Sequence, residues 1–208
     1  MTINVHLTEV TRNRYQRLSG WYDMMGLLQE KKFLPWRKRM WMLAAGPRIL
    51  EVGVGTGRNL PFIPRNVEMT GIDLTPGMLN KAVRRAAELE LNIDLQIGDV
   101  QQLTFADASF DNVVATCVFC SVPDPILGLR EIKRILKPGG RLFILEHVRS
   151  PNPVIGKIMD ILNPVVVRIM GANINRKTME NILAAGLEVE LCEDLDKSGI
   201  FKFIIARA

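Results

Sequence analysis

The chain has 208 residues, 48% of them apolar and 24% charged, with 27 Lys and Arg against 22 Asp and Glu. This composition excludes disordered, collagenous and coiled-coil classes, and the length suits one αβ domain with no room for a second catalytic one. The longest apolar stretches, around 113–122 and 165–170, fall short of the roughly 20 residues needed to cross a bilayer.

Residues 1–10 lack the basic head, apolar middle and small-residue cleavage pattern of a secretory signal, so a cytoplasmic location is expected. Three cysteines, Cys117, Cys120 and Cys192, are too few and odd in number for a disulfide framework. Cys117 and Cys120 have the spacing of half a zinc site or a redox pair. No second pair or nearby histidine completes a metal shell, so buried packing is favoured and no metal is expected.

The charge is uneven: residues 1–42 hold eight basic and three acidic side chains, and the rest balance at nineteen of each sign. Leu18, Trp21, Tyr22, Met25 and Leu28 recur there at three- and four-residue spacing, which predicts a basic amphipathic helix with one apolar face. Such a helix either caps the core with its lysines in solvent or lies on an anionic membrane, where each basic residue adds about 1 kcal/mol. The capping reading is favoured, and the two are compatible. Nucleic acid is not an expected partner, because the remainder is neutral and lacks interleaved aromatic and basic residues.

From Arg48 onward, short β-branched runs alternate with helical stretches. Strands are predicted over 48–52, 67–73, 93–97, 111–117 and 141–146, and helices over 76–91 and 125–136. Thr75 supplies an N-cap and Pro76 suits the first turn, with Met78, Leu79, Val83, Ala86 and Leu89 on the apolar side. The run Lys137-Pro-Gly-Gly140 ends the second helix. The apolar segment 154–170, interrupted at Pro164, is too broken for one long helix; a helix over 175–185 and strands over 187–192 and 200–206 close the chain. The alternation predicts a doubly wound, mostly parallel sheet with a ligand crevice at the strand carboxyl ends.

Three chemical elements fall at consecutive strand ends. Glu51-Val-Gly53-Val-Gly55-Thr56-Gly57 lets the backbone turn sharply and approach a ligand, although its glycine spacing differs from the dinucleotide fingerprint. Asp73, sixteen residues beyond Gly57, stands where a carboxylate accepts from both hydroxyls of a ribose. Asp99, in Gly98-Asp99-Val100, follows the third strand and suits an adenine amino group, while a Gly-Asp pair also makes a plain turn.

These motifs, with Gly71-Ile-Asp-Leu74, Ser109-Phe-Asp111 and Leu136-Lys-Pro-Gly-Gly140, resemble the class I S-adenosylmethionine-dependent methyltransferases over about 48–147. The resemblance implies a Rossmann-like α/β fold with a seven-stranded sheet, S-adenosylmethionine as cofactor and S-adenosylhomocysteine as product. It implies that Gly53, Gly55 and Gly57, with Glu51 and Thr56, line the methionine part, that Asp73 holds the ribose and that Asp99 and Val100 frame the adenine. Leu74 and Met78 would pack on the cofactor, with Cys117 just beyond the fourth strand. Another nucleotide on the same fold is the competing reading. The chain then divides as a single methyltransferase domain, 1–208: a helical cap (1–46), a cofactor-binding core (47–149), an apolar lid (150–174) and closing elements (175–208).

Within the family, the aromatic opening from Arg14 to Asp23 resembles that of quinone C-methyltransferases and bacterial phosphatidylethanolamine N-methyltransferases, where it closes over the cofactor and faces the acceptor. Glu146-His147 before a Pro-containing apolar segment is also similar to membrane-associated thiol methyltransferases. An amine or thiol acceptor must lose a proton, and His147 is the candidate base. Glu146 is its candidate partner, and Tyr15 or Tyr22 would orient the acceptor; structural roles for His147 and Tyr22 compete with these. The apolar 154–170 segment and basic start favour an acceptor with an apolar body: a phospholipid amine first, then a small thiol or an isoprenoid quinone. The location expected is cytoplasmic, with peripheral contact to an anionic membrane face. A cofactor-binding sensor without turnover is the alternative of another class. An arsenite methyltransferase requires the three cysteines to converge.

Overall fold

Strands whose apolar residues alternate sides, separated by amphipathic helices, build a seven-stranded sheet in the order β3-β2-β1-β4-β5-β7-β6. It is a computed structural model, describing residues 3–208 with the Leu28 side chain excepted. The strands are β1 (Arg48–Val52), β2 (Glu68–Asp73), β3 (Asp94–Ile97), β4 (Phe110–Thr116), β5 (Leu136–His147), β6 (Glu188–Asp194) and β7 (Phe201–Arg207). Pairs β1–β2, β2–β3, β1–β4 and β4–β5 are parallel, and β7 runs antiparallel to both β5 and β6.

Strand alternation splits the core into two layers. On one face Leu50, Val113 and Ile144 pack with Leu129 and Ile132 of α5 (Pro125–Ile135) and Ile182 of α7 (Thr178–Ala184). On the other, Ile49, Val114 and Leu145 pack with Met40 and Trp41 of α3 (Leu27–Leu43) and Leu79 and Ala82 of α4 (Pro76–Glu88). Ala82, not Val83, is the buried residue of the middle turn of α4, and Val83 faces solvent.

Three expectations are corrected. The basic amphipathic segment is not one helix: α1 (Val5–Leu18) stops, and α2 (Tyr22–Met25) follows a turn. The Ser19 hydroxyl donates to the Gln16 carbonyl and the Trp21 amide to that of Leu18, which closes the chain at Gly20. Tyr22 turns inward while Trp21 and Met25 stay exposed; the Leu28 side chain lies outside the described residues. Its basic residues are also partly spent inside the protein, since Lys32 pairs with Asp196, Arg39 with Glu193 and Arg37 with Glu30.

The second correction concerns 154–170, which forms one helix, α6 (Pro153–Met170), with Pro164 inside it. A proline removes one helical hydrogen bond, but this helix is anchored at both ends and the middle. Asn152 caps it by accepting from the amides of Val154 and Ile155, Asp160 accepts from Arg149, and Gly171 ends it in the left-handed conformation. Third, the closing helix starts at Thr178 rather than 175, because Asn175 and Arg176 are drawn into contacts with Asp160 and the carbonyl of Val122.

Candidate active site

The carboxyl ends of β1, β2, β3 and β4 border an open cleft. Its left-handed turn at Gly55 (φ 57°) has no side chain within 4 Å, so any Cβ there would project into the opening. Gly57 serves differently: a Cβ would meet Leu60 and the Ala82 backbone, so this glycine brings α4 close to the motif and is not part of the cleft lining.

Asp73 ends β2 and accepts from the Gly55 amide (2.9 Å) and the Thr75 amide (2.8 Å). The Thr75 hydroxyl turns to Asp73 and does not cap α4. Gln16 of α1 takes that place, accepting from the Gly77 amide at 2.9 Å. Burial pushes the Asp73 carboxyl up despite its two amide donors. Leu74, Met78, Val100 and Asp99 complete this wall. Asp99 accepts from the Gln101 amide and side chain and closes a turn to Gln102, so the turn and the cleft position coexist.

Glu51 lies at the deep end of the cleft, 1% exposed, in a small recess shared with Thr56, Arg37, Arg58 and Asn59. One of its oxygens accepts from the Asn59 amide nitrogen at 2.6 Å, and the other has no partner. Burial drives its pKa up to about 8. A buried carboxylate with an orphaned oxygen is poised for a cation from a ligand. A glycine cradle and a carboxylate at the second strand tip therefore fit a cofactor with a ribose at one end and an ammonium at the other.

A polar network that the motif reading missed joins this floor to the cap. Asn59 also accepts from Arg37 (2.7 Å), Arg37 donates to Glu30 (2.8 Å), and Arg58 donates to Glu30 (2.9 Å) and Asp23 (3.3 Å). Thr56 donates to Asp23 at 2.6 Å. The signals were present: Arg58-Asn59 directly follows Gly57, and Glu30 and Arg37 are seven residues apart, on one face of a helix.

Beyond Cys117 a second chamber opens between the cap and the end of α6. It shares Tyr15, Tyr22, Thr116 and Cys117 with the first cleft, and His147 forms part of its wall. Cys117 holds a left-handed φ of 54° at the end of β4, with its amide bonded to the Leu145 carbonyl. Burial lifts its thiol to about 12, so it stays protonated at neutral pH. Burial raises Tyr22 to about 12 and holds Tyr15 well above the ordinary tyrosine value, and it lowers His147, which leaves its imidazole neutral near pH 7.

Glu146 is not where its adjacency to His147 suggested. Successive strand residues point to opposite faces: His147 lies edge-on to Phe201, whereas Glu146 is buried beneath the loop after β4 and accepts from the Phe119 amide at 3.0 Å. It lines neither chamber and supports the loop carrying Cys117. The cysteines do not converge either. Cys117 is a wall residue shared by both cavities and Cys120, beside Glu146, also lines the second chamber, but Cys192 is exposed on β6, so the three do not meet. No group of three or more His, Cys, Asp or Glu able to hold a metal ion occurs among the described residues.

The sheet order, the glycine turn at β1 and the acid at β2 define a class I S-adenosylmethionine-dependent methyltransferase, and the chain belongs to that family. The family model described as "Methyltransferase domain" matches residues 50–144. A demethylmenaquinone methyltransferase of Staphylococcus aureus is 32% identical over 165 residues, 76% of this chain and 68% of that protein. A phosphatidylethanolamine N-methyltransferase of Cereibacter sphaeroides is 40% identical over 114 residues, 53% of this chain and only 56% of that protein's length. A Thermotoga maritima structure described as a possible histamine N-methyltransferase superposes with a TM-score of 0.71 at 22% identity, covering 94% of this chain and 98% of that one. The protein is a methyltransferase and its cofactor is S-adenosylmethionine.

Proposed function

We propose that the chain methylates the amine head group of a membrane phospholipid, acting as one domain with a cap (1–46), core (47–149), lid (150–174) and closing elements (175–208). The observation that carries this reading is the second chamber, which meets the first cleft at Cys117 and is walled by Leu18, Met25, Val166 and Met170 as well as by polar groups. A soluble amine needs no such apolar approach. The relative named for phosphatidylethanolamine N-methylation favours the same chemistry.

In this reading Asp73 accepts from the ribose, Asp99 and Val100 frame the adenine, Leu74 and Met78 pack on it, and Glu51 takes the ammonium. Gly53 and Gly55 line the methionine end with Thr56 at its floor, and Gly57 acts indirectly by packing α4. When bound, S-adenosylmethionine supplies a methyl group on a sulfonium whose loss leaves a neutral sulfide. The acceptor ammonium must shed one proton to expose its lone pair, and neutral His147 receives it. Tyr15 and Tyr22, held protonated by burial, orient the acceptor at the junction, and closure of the cap excludes water. Peripheral contact with the inner face of an anionic membrane accompanies this reading.

Among the described residues no helix is long and apolar enough to cross a membrane. C-methylation of an isoprenoid quinone is the second reading, favoured by the relative named for demethylmenaquinone. Purified protein with isotopically labelled cofactor and a panel of lipid, quinone, thiol and amine acceptors separates these by product mass. Labelled phosphatidylethanolamine derivatives are expected. A labelled quinone or thiol overturns the lipid assignment, and bound cofactor with no product from any acceptor indicates a sensor.

A further inference from the structure

The lid helix buries Gly156 and Met159, half-buries Asn163, Val166 and Val167, and exposes its remaining residues. At helical spacing, Val154, Ile158, Ile161, Val165 and Ile169 form one continuous exposed stripe, widened by Leu162; Ile161 is 67% and Ile169 69% exposed. A stripe of this width is unusual on a solvated helix. Exposed Lys157 and Arg168 border it on one side, and its carboxyl end abuts α1, where a Cβ on Gly171 would lie 3.5 Å from Arg14.

Across the mouth of the second chamber, the turn between α1 and α3 exposes a second apolar group: Trp21 (64%), Met24, Met25 and Leu27. Met25 and Met170 belong to both surfaces, since each is about half exposed and each lines the chamber. Exposed Arg17 and Lys31 flank the cap tip.

We propose that the outer face of α6 and the Trp21–Leu27 tip dock together on an anionic lipid bilayer, with the chamber mouth between them, so that the acceptor enters from the membrane plane without crossing water. This rests on the lipid reading and adds to it the surface and the route. Charge selects the occupant: basic residues border both apolar surfaces, the arrangement of an interfacial helix, whereas a second copy would bring like charges together. The bilayer also supplies what α6 lacks, an apolar phase for a stripe that none of the described residues covers.

The test uses full-length protein and vesicles of phosphatidylcholine with or without phosphatidylglycerol. Wild type is expected to co-sediment with the anionic vesicles and to lose at least about tenfold in partitioning in Ile161→Glu/Val165→Glu. Lys157→Glu/Arg168→Glu should lose about fivefold per residue, only where phosphatidylglycerol is present. Both variants should keep wild-type cofactor affinity by calorimetry and wild-type turnover of a dispersed short-chain phosphatidylethanolamine.

Equal vesicle binding by wild type and Ile161→Glu/Val165→Glu overturns the docking surface. So does light scattering that shows a wild-type dimer made monomeric by that variant, which would mark a face between copies. Methylation of dispersed lipid without vesicle binding defeats the docking and spares the proposed activity. Vesicle binding through α6 without methylation of any phospholipid establishes the surface and defeats the activity.

Discussion

The first cleft takes its floor from the tips of β1 and β2 and its far wall from the residues after β3, all within a stretch of about fifty residues, and its decisive groups are glycines and carboxylates. The second chamber draws on residues from Tyr15 to Ile174, and methionines, aromatics and one histidine supply much of its wall. Four residues, Tyr15, Tyr22, Thr116 and Cys117, belong to both. The first region is prepared for one ligand by backbone geometry; the second is assembled by docking a cap and a lid onto the sheet. A domain can thus keep its donor site while the acceptor site varies with the elements laid over it.

Four experiments break or sharpen that contrast. His147→Gln is expected to lower kcat by roughly 100-fold or more while leaving cofactor affinity unchanged, because the proposed base sits only in the second chamber. The activity of wild type should fall on the acid side of an imidazole titration lying below the ordinary histidine value. Unchanged kcat in a steady-state assay with the methylated lipid returns His147 to a packing role against Phe201.

Asp73→Ala is expected to weaken cofactor binding by about 30-fold or more, since charge-assisted hydrogen bonds contribute about 1.5–3 kcal/mol each. Asp73→Asn separates the ribose contact from loss of the turn, because its one amide oxygen still accepts from Gly55 or Thr75. Isothermal calorimetry with S-adenosylhomocysteine reads both variants. No change in either removes the first cleft as the cofactor site.

Arg58→Ala tests the tie between the two regions. The guanidinium is 17% exposed and bonds Asp23, Glu30 and the Tyr22 carbonyl, so its loss should cost about 1–3 kcal/mol in urea unfolding and weaken cofactor binding by about tenfold. A stability loss with unaltered affinity would mean the cap holds the fold and does not close the cleft.

The fourth experiment reads a slope. Glu51 has its folded pKa raised to about 8 from an ordinary 4.5, so its contribution to stability is fully present below about pH 4.5 and is lost as pH rises to about 8. Urea unfolding of cofactor-free protein should therefore show stability declining across that window, and Glu51→Gln should flatten the decline. Bound cofactor, by giving the carboxylate a cationic partner, should flatten it too. A wild-type curve that rises with pH over the same range would contradict the buried, unpartnered carboxyl.

Much of the first cleft was readable along the chain because each contributing group sits at a fixed offset from a strand end. Gly55, Asp73 and Asp99 needed only the βα alternation to be brought together. The cap and α6 were not readable in the same way. Whether α1 runs on past Leu18 depends on Ser19 and Trp21 bonding back to the last turn, and whether Pro164 breaks α6 depends on anchors from Arg149 and Asn152.

Residue order alone determined the alternating sheet, the glycine turn and the two acids at its edge, since these follow from local periodicity and backbone sterics. Tertiary structure alone decided that Glu146 meets the Phe119 amide and His147 the Phe201 ring, that Arg37 and Arg58 bind the cap to Glu51 through Asn59 and Glu30, and that α6 stands outward with its apolar stripe exposed. Those outcomes depend on which distant segments meet, and contact free energies between distant segments carry no fixed spacing in sequence.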